Sequence, residues 1–257
     1  MSQNSHSPAG PPRITRHDHV GGETIERHRH AFHQLIHVDT GVLSVRTEEA
    51  SWVASSARAM WIPADTWHEH RVYGASHVRT VGFPADDPPL RSPTPTVVSV
   101  DPLLRELLLA CGDPGLTAAE AQRLQAVLRD RIRRCAVQPL TLPAPRDARL
   151  ARACALAAAD LARPRTVAWL ARRAGVSERT LARLFRSEFG MTYPQWRTLT
   201  RVFHAMIRLA EGATVTAAGR DCGWATTSAF IDVFTRTVGQ TPGAHRAAAR
   251  GDRAPAP

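Results

Sequence analysis

Residues 170–192 read LARRAGVSERTLARLFRSEFGMT, and residues 215–246 read VTAAGRDCGWATTSAFIDVFTRTVGQTPGAHR. The two stretches carry one short pattern twice. The first copy is Ala171, Gly175, Val176, Ser177, Leu181, Phe185, Phe189, Gly190 and Thr192. The second is Gly219, Gly223, Trp224, Thr226, Phe230, Phe234, Val238, Gly239 and Thr241. The offset is 48 residues at the glycine turn and 49 from Ser177/Thr226 onward, so one residue is inserted between. A fixed internal period marks a repeated supersecondary unit. Each unit has a small residue, a glycine four later, a hydroxyl residue, then apolar residues at helical spacing. Glycine permits the tight turn and Ser or Thr caps the following helix, which is how a helix-turn-helix is written. An all-helical core with two glycine turns would share these features. Two turns in register within a basic segment favour DNA binding.

Charge supports that reading. Residues 1–145 hold 15 Arg against 15 acids, whereas residues 146–257 hold 18 Arg against 8 acids. The whole net charge of +10 thus lies with the repeat, as an electrostatic footprint for nucleic acid requires. Cys111, Cys135, Cys154 and Cys222 are scattered without a C-x-x-C pair and read as reduced thiols. No apolar run approaches a membrane span and no secretory segment is visible, so a cytoplasmic location is expected.

The chain resembles the AraC/XylS transcription regulators through this repeat, over roughly its last hundred residues. It departs from that family at Gly219, Trp224 and His245, where Ala, an aromatic Phe or Tyr, and Tyr are usual. These are packing positions. By the resemblance, the DNA-facing residues are Ser177, Arg179, Ala182, Arg183 and Arg186 on one recognition helix. On the other they are Thr226, Thr227, Ser228, Ala229, Asp232 and Arg236.

The N-terminal segment reads as strands with glycine and proline breakers. Leu35–Val38, Val42–Thr47 and Ala59–Ile62 are examples. Ten of the twelve histidines precede residue 78. Gly22, His28, His30, Gln34 and Gly41 are spaced as in the first cupin motif, with Gln in place of Glu. Pro63, Asp65 and His68 resemble the second motif, with Ala57 and Asp65 at its glycine positions and Val72 for its Asn. The resemblance implies a cupin sensor barrel in which His28, His30, Gln34 and His68 hold a divalent metal or an organic effector; both stay open. No catalytic residue is assigned. His33, His37 and His70 read equally well as surface residues.

Two amphipathic helices are expected at Asp101–Cys111 and Thr117–Cys135, with apolar stripes Leu103, Leu107, Leu108 and Leu124, Val127, Leu128, Ile132. They cover the barrel, form the dimer interface that the resemblance implies, or do both, one stripe packing inward while the other meets a partner. The expected organisation is an α+β, two-domain chain. Residues 1–12 are a disordered N-terminus, 13–90 a cupin-like sensor barrel, and 91–137 a helical hairpin for dimerisation. Residues 138–146 form a linker, 147–250 an all-α twin helix-turn-helix domain, and 251–257 a disordered tail. The function implied is sequence-specific regulation of transcription. The partners are double-stranded promoter DNA, RNA polymerase in the case of an activator, a small effector and a second copy of the chain. A cupin metalloenzyme of dioxygenase or isomerase type is the alternative, and an architectural DNA protein is a third.

Overall fold

The structure is a computed structural model describing residues 13–135, 137–138 and 141–252. The expectations for residues 1–12 and 253–257 lie outside these. Backbone contacts group the chain into two units, one holding the sheet and one most of the helices from Thr141 onward. The chain is therefore α+β with two domains.

The first unit contains β1 (Arg13–His19), β2 (Thr24–His28), β3 (His33–Arg46), β4 (Ala50–Ala54), β5 (Arg58–Ile62), β6 (His68–Phe83), β7 (Thr96–Ser99) and β8 (Val137–Gln138). The ladder runs β1-β6-β3-β5-β7-β8, with β2 also on β6 and β4 on β3. The two expected segments Leu35–Val38 and Val42–Thr47 form one strand, because Gly41 makes a bulge and does not break the chain. Its φ is +77°, and a Cβ there would sit 1.9 Å from Ser76 Oγ, so only glycine fits. The register between β3 and β6 slips on either side of Thr40. A one-residue slip moves side chains to the other face of a sheet. Thus Gln34 and Ile36 line one face before the bulge, and Leu43, of opposite parity, lines the same face after it.

The opposite face carries Leu35, Trp61, Val81, Phe83 and Val98, on which two helices pack. These are α1 (Pro102–Ala110), capped by Asp101, and α2 (Ala118–Arg133), opened by a Thr117/Glu120 capping box. Leu104, Leu107, Leu108, Leu128 and Ile132 are buried in this core. The expected stripe is off by one residue at its start: Leu104 is inside, while Leu103 is 51% exposed. Val127 is 46% exposed, so the second stripe also splits. β7 lies beyond residue 90, directly after Pro95, and extends the sheet from β5.

The second unit holds the short β9 (Leu142–Pro143), the helices α3 (Ala148–Ala158), α4 (Val167–Ala174), α5 (Glu178–Phe189), α6 (Tyr193–Ala210), α7 (Val215–Asp221) and α8 (Thr227–Val238), and α9 (Pro242–Arg250) as far as Ala247. Thr166, Ser177, Thr192, Thr214 and Thr226 each cap a helix through the side-chain oxygen. The 18-residue α6 runs between the two repeats. At its start Tyr193 and Trp196 join Phe185 and Phe189 in one aromatic core. No helix among the described residues is long and apolar enough to cross a membrane.

Candidate functional sites

Each half of the second unit builds one turn and one exposed helix. In the first, α4 ends at Gly175 (φ +74°), and Ser177 Oγ accepts from Thr180 N at 3.1 Å to start α5. Leu181, Leu184, Phe185 and Phe189 bury one face of α5, leaving Arg179, Arg183 and Arg186 exposed on the other. Ala182 is half-buried. In the second, Gly223 has φ +86°, and a Cβ there would lie 2.2 Å from the Leu161 carbonyl oxygen. Thr226 then accepts from Ala229 N at 3.2 Å to start α8. Ser228, Ala229, Asp232 and Arg236 are exposed and Thr227 is half-buried. Ser177 and Thr226 therefore act first as caps. Ile231, 38% exposed on α8, was not singled out in the sequence. An apolar residue outside the buried 3.6-residue stripe was the available signal.

The departures from the family pattern have local causes. A Cβ on Gly219 would meet the Phe230 ring at 2.9 Å, so Phe230 occupies the space an alanine methyl would need. Trp224 packs on Phe230 with ring centroids 4.9 Å apart and receives the Arg201 guanidinium 4.2 Å above its own ring. His245 is buried; its Nε2 donates to the Met206 carbonyl oxygen (3.2 Å), and its Nδ1 accepts from Gln240 Nε2 (3.1 Å).

In the first unit, four imidazoles gather. His28 and His68 are cross-strand partners, with ring centroids 4.3 Å apart. The register of β2 slips between Ile25, opposite His70, and His28, opposite His68. Three residues on β2 thus span two on β6, and this bulge turns both Ile25 and His28 toward the same face. His70 lies two residues beyond His68, so it shares that face. It is 4.9 Å from His68 and 5.5 Å from His28 by ring centroids. His30 comes after the end of β2, so its position does not follow from strand alternation with His28; its ring is 5.0 Å from that of His68.

The expected set His28, His30, Gln34 and His68 is therefore brought together, and His70 joins it. His70 and His37 are buried, contrary to the surface reading. The spacing of His68 and His70 repeated that of His28 and His30, and was the signal that could have found His70. Burial lowers the pKa of His30, against its bond to the Phe32 carbonyl. Burial, followed by the charges of His28 and His30, takes His68 down to about 3. Burial and then His68 push His70 well below the ordinary value. Burial thus favours the uncharged form of His30, His68 and His70.

Beside them is a cavity of about 210 Å³, lined by His17, His19, Ile25, His28, Gln34, Ile36, Leu43, His70, Val78 and Thr80. His30 and His68 do not line it. Its wall mixes aliphatic carbon with ring nitrogens, a carboxamide and a hydroxyl, which suits a small, partly apolar molecule fixed by a few polar contacts.

Comparison with known proteins matches the same two parts. Residues 13–128 match the AraC-like ligand binding domain, and residues 170–248 a helix-turn-helix domain. The chain is 31% identical over 224 residues to the HTH-type transcriptional regulator NimR of Escherichia coli K12, covering 84% of this chain and 80% of that one. It is 32% identical to the HTH-type transcriptional activator RhaR of Klebsiella pneumoniae, over 41% of this chain and 38% of that one. The solved DNA-binding domain of AdpA, in complex with a target DNA, is 35% identical over 42% of this chain and 97% of that one, with a TM-score of 0.38. Together with the paired turns and the sheet-rich unit before them, the two domain matches and the likeness to NimR show that the chain belongs to the AraC family of DNA-binding transcription regulators with an N-terminal ligand-binding domain.

Proposed function

We propose that this regulator binds a promoter through α5 and α8 and that a small molecule in the histidine-lined cavity sets its DNA affinity. The observation that carries the reading is the exposed row Arg179, Arg183 and Arg186 on a helix whose other face is fully buried. Arginine bonds guanine O6 and N7 in pairs, the commonest specific contact in the major groove. α8 offers Ser228, Ala229 and Asp232, which suit weaker or negative selection. Eighteen residues of α6 span roughly 27 Å at 1.5 Å per residue. That is near one DNA turn of about 34 Å, so α5 and α8 enter successive major grooves on one side of the duplex.

Two copies pair through the exposed Leu103 and Val127, and the protein works in the cytoplasm without catalysing a reaction. An activator of this design also touches RNA polymerase. A ligand acts only through a difference in affinity between two arrangements of the protein. Footprinting on DNA selected from a random pool tests the reading. The expected protection spans two helical turns per subunit and need not be palindromic. Protection of only a few base pairs, or selection without any preferred sequence, refutes it.

A further inference from the structure

The four residues that the cupin spacing marks do not share one state. His30 is engaged at both nitrogens: Nδ1 lies 2.7 Å from the Phe32 carbonyl oxygen and Nε2 lies 3.2 Å from the Gln34 carboxamide. Its ring is also stacked on Phe32, with centroids 4.2 Å apart. Gln34 is thereby held by His30.

His28 and His68 are held differently. Nδ1 of His28 is 2.8 Å from the Glu26 carbonyl oxygen, and Nδ1 of His68 is 2.7 Å from that of Thr66. A carbonyl oxygen only accepts, so both Nδ1 atoms carry the proton. A neutral imidazole then leaves Nε2 as a bare lone pair. Nε2 of His68 and Nδ1 of His70 are both buried and lack a hydrogen-bond partner among the described residues. One ring nitrogen from each of His28, His68 and His70 falls within 4.8 Å of the others. A backbone carbonyl on the far nitrogen of the ring is the arrangement that orients metal-ligating histidines.

We propose that His28, His68 and His70 bind a divalent transition metal, with His70 as third ligand and with His30 and Gln34 outside the coordination sphere. Three neutral nitrogen donors without a carboxylate select Zn, Ni, Cu or Fe over Mg or Ca. Tetrahedral Zn–N bonds of about 2.0–2.1 Å put ligand nitrogens roughly 3.3 Å apart, so the rings draw together on binding. His28 and His70 also line the cavity, which places the open coordination position on its wall. The effector class that follows is a small molecule with one nitrogen, sulfur or oxygen donor for the metal. Its apolar body would rest on Ile25, Ile36, Leu43 and Val78. This last step rests on the reading of the cavity as the effector site.

The test uses untagged full-length protein stripped with a chelator. Zn²⁺ is titrated by calorimetry and Co²⁺ by its visible absorption, for the wild type and for His70→Ala, His70→Gln, Gln34→Ala and His30→Ala. Operator protection is measured on each sample. The expected result is one tightly bound ion per chain with the absorption of a four-coordinate Co²⁺ site. Each His70 variant weakens binding by more than about 100-fold, beyond the 10–100-fold loss of an outer-shell partner. Gln34→Ala and His30→Ala retain the four-coordinate spectrum and lose no more than that outer-shell amount. A wild type that binds no stoichiometric ion overturns the proposal. So does a folded His70→Gln that binds as tightly as wild type, or a Gln34→Ala that loses the site. Operator protection that persists in the absence of metal binding separates failure of this site from failure of the regulator reading.

Discussion

Asp232 holds Arg236 at 3.0 Å, one turn further along the exposed face of α8. Both side chains are solvent-exposed, so the pair adds little to stability. It matters for charge: an arginine that faces outward is neutralised by its own helix.

Asp232→Ala releases Arg236 and removes a carboxylate from the vicinity of phosphates. General DNA affinity is expected to rise. The plot of log affinity against log salt should steepen by about one, the change for one further phosphate contact. The preferred sequence should be little altered. Binding to specific and random duplexes at several salt concentrations decides this, and an unchanged slope would show that Arg236 does not reach the backbone.

Arg183 is exposed in the middle of α5 and has two available roles. As a base reader, Arg183→Ala costs about 1–3 kcal/mol and relaxes selectivity at one guanine. As a phosphate clamp, the variant loses affinity evenly and its salt slope shrinks by about one. We expect the first result. A binding matrix over all single-base variants distinguishes them.

Leu103→Glu with Val127→Glu should give a monomer that keeps its thermal stability, since both side chains lie outside the core. Leu107→Glu with Leu128→Glu is a different experiment. Both residues are buried against the sheet, and each buried leucine contributes about 1.5–3 kcal/mol before the cost of burying a charge is added. That pair should unfold the sensor unit. Sedimentation with circular dichroism reads both outcomes, and a dimeric Leu103/Val127 double variant would place the interface elsewhere.

Gly219→Ala tests the contact with Phe230. Helix propensity alone favours alanine by about 1 kcal/mol. The new methyl, however, would stand 2.9 Å from a ring already wedged between Trp224 and Phe234. Overpacking of this kind costs about 1–3 kcal/mol, so a net loss is expected in chemical denaturation. Phe230→Leu in the same chain should recover part of it.

Arg79 donates to Asp39 at 2.7 Å, and both side chains are largely buried. Burial raises the Asp39 pKa, but the His37 contact and the Arg79 charge outweigh it and leave the carboxyl below its usual 3.8. A depressed carboxyl stabilises the fold above the unfolded pKa, and this contribution is lost as pH falls through the folded value. Asp39→Asn should therefore cost about 3 kcal/mol at neutral pH by leaving Arg79 without its counter-charge. The gap to wild type should begin to narrow below the unfolded value of 3.8 and close as pH falls through the lower folded value. Melting curves between neutral and acid pH check the sign.

The caps and glycine turns of α4, α5, α7 and α8 were legible because their causes lie within four residues of each other. The joining of two expected strands into β3 was not, because Gly41 acts as a bulge only against Ser76, a residue from a distant strand. The same holds for Leu103 and Leu104: both fit an apolar stripe, and only the sheet beneath α1 decides which faces it. His70 was missed because the repeated His-x-His spacing says that His68 and His70 share a face but not that the face is buried. The meeting of His28 and His68 was foreseen only through the cupin resemblance, and the stacking of His30 on Phe32 and its bond to the Phe32 carbonyl follow from no local rule.

The rings of His28 and His68 are each anchored at Nδ1 by a main-chain oxygen, that of Glu26 and that of Thr66. Main-chain atoms are the same whatever residue supplies them. The aliphatic wall formed by Ile25, Ile36, Leu43 and Val78 can therefore be rewritten without disturbing the polar frame. A library randomised at these four positions should yield sensors for new inducers while the frame stays constant, which makes this cavity a practical starting point for biosensor engineering.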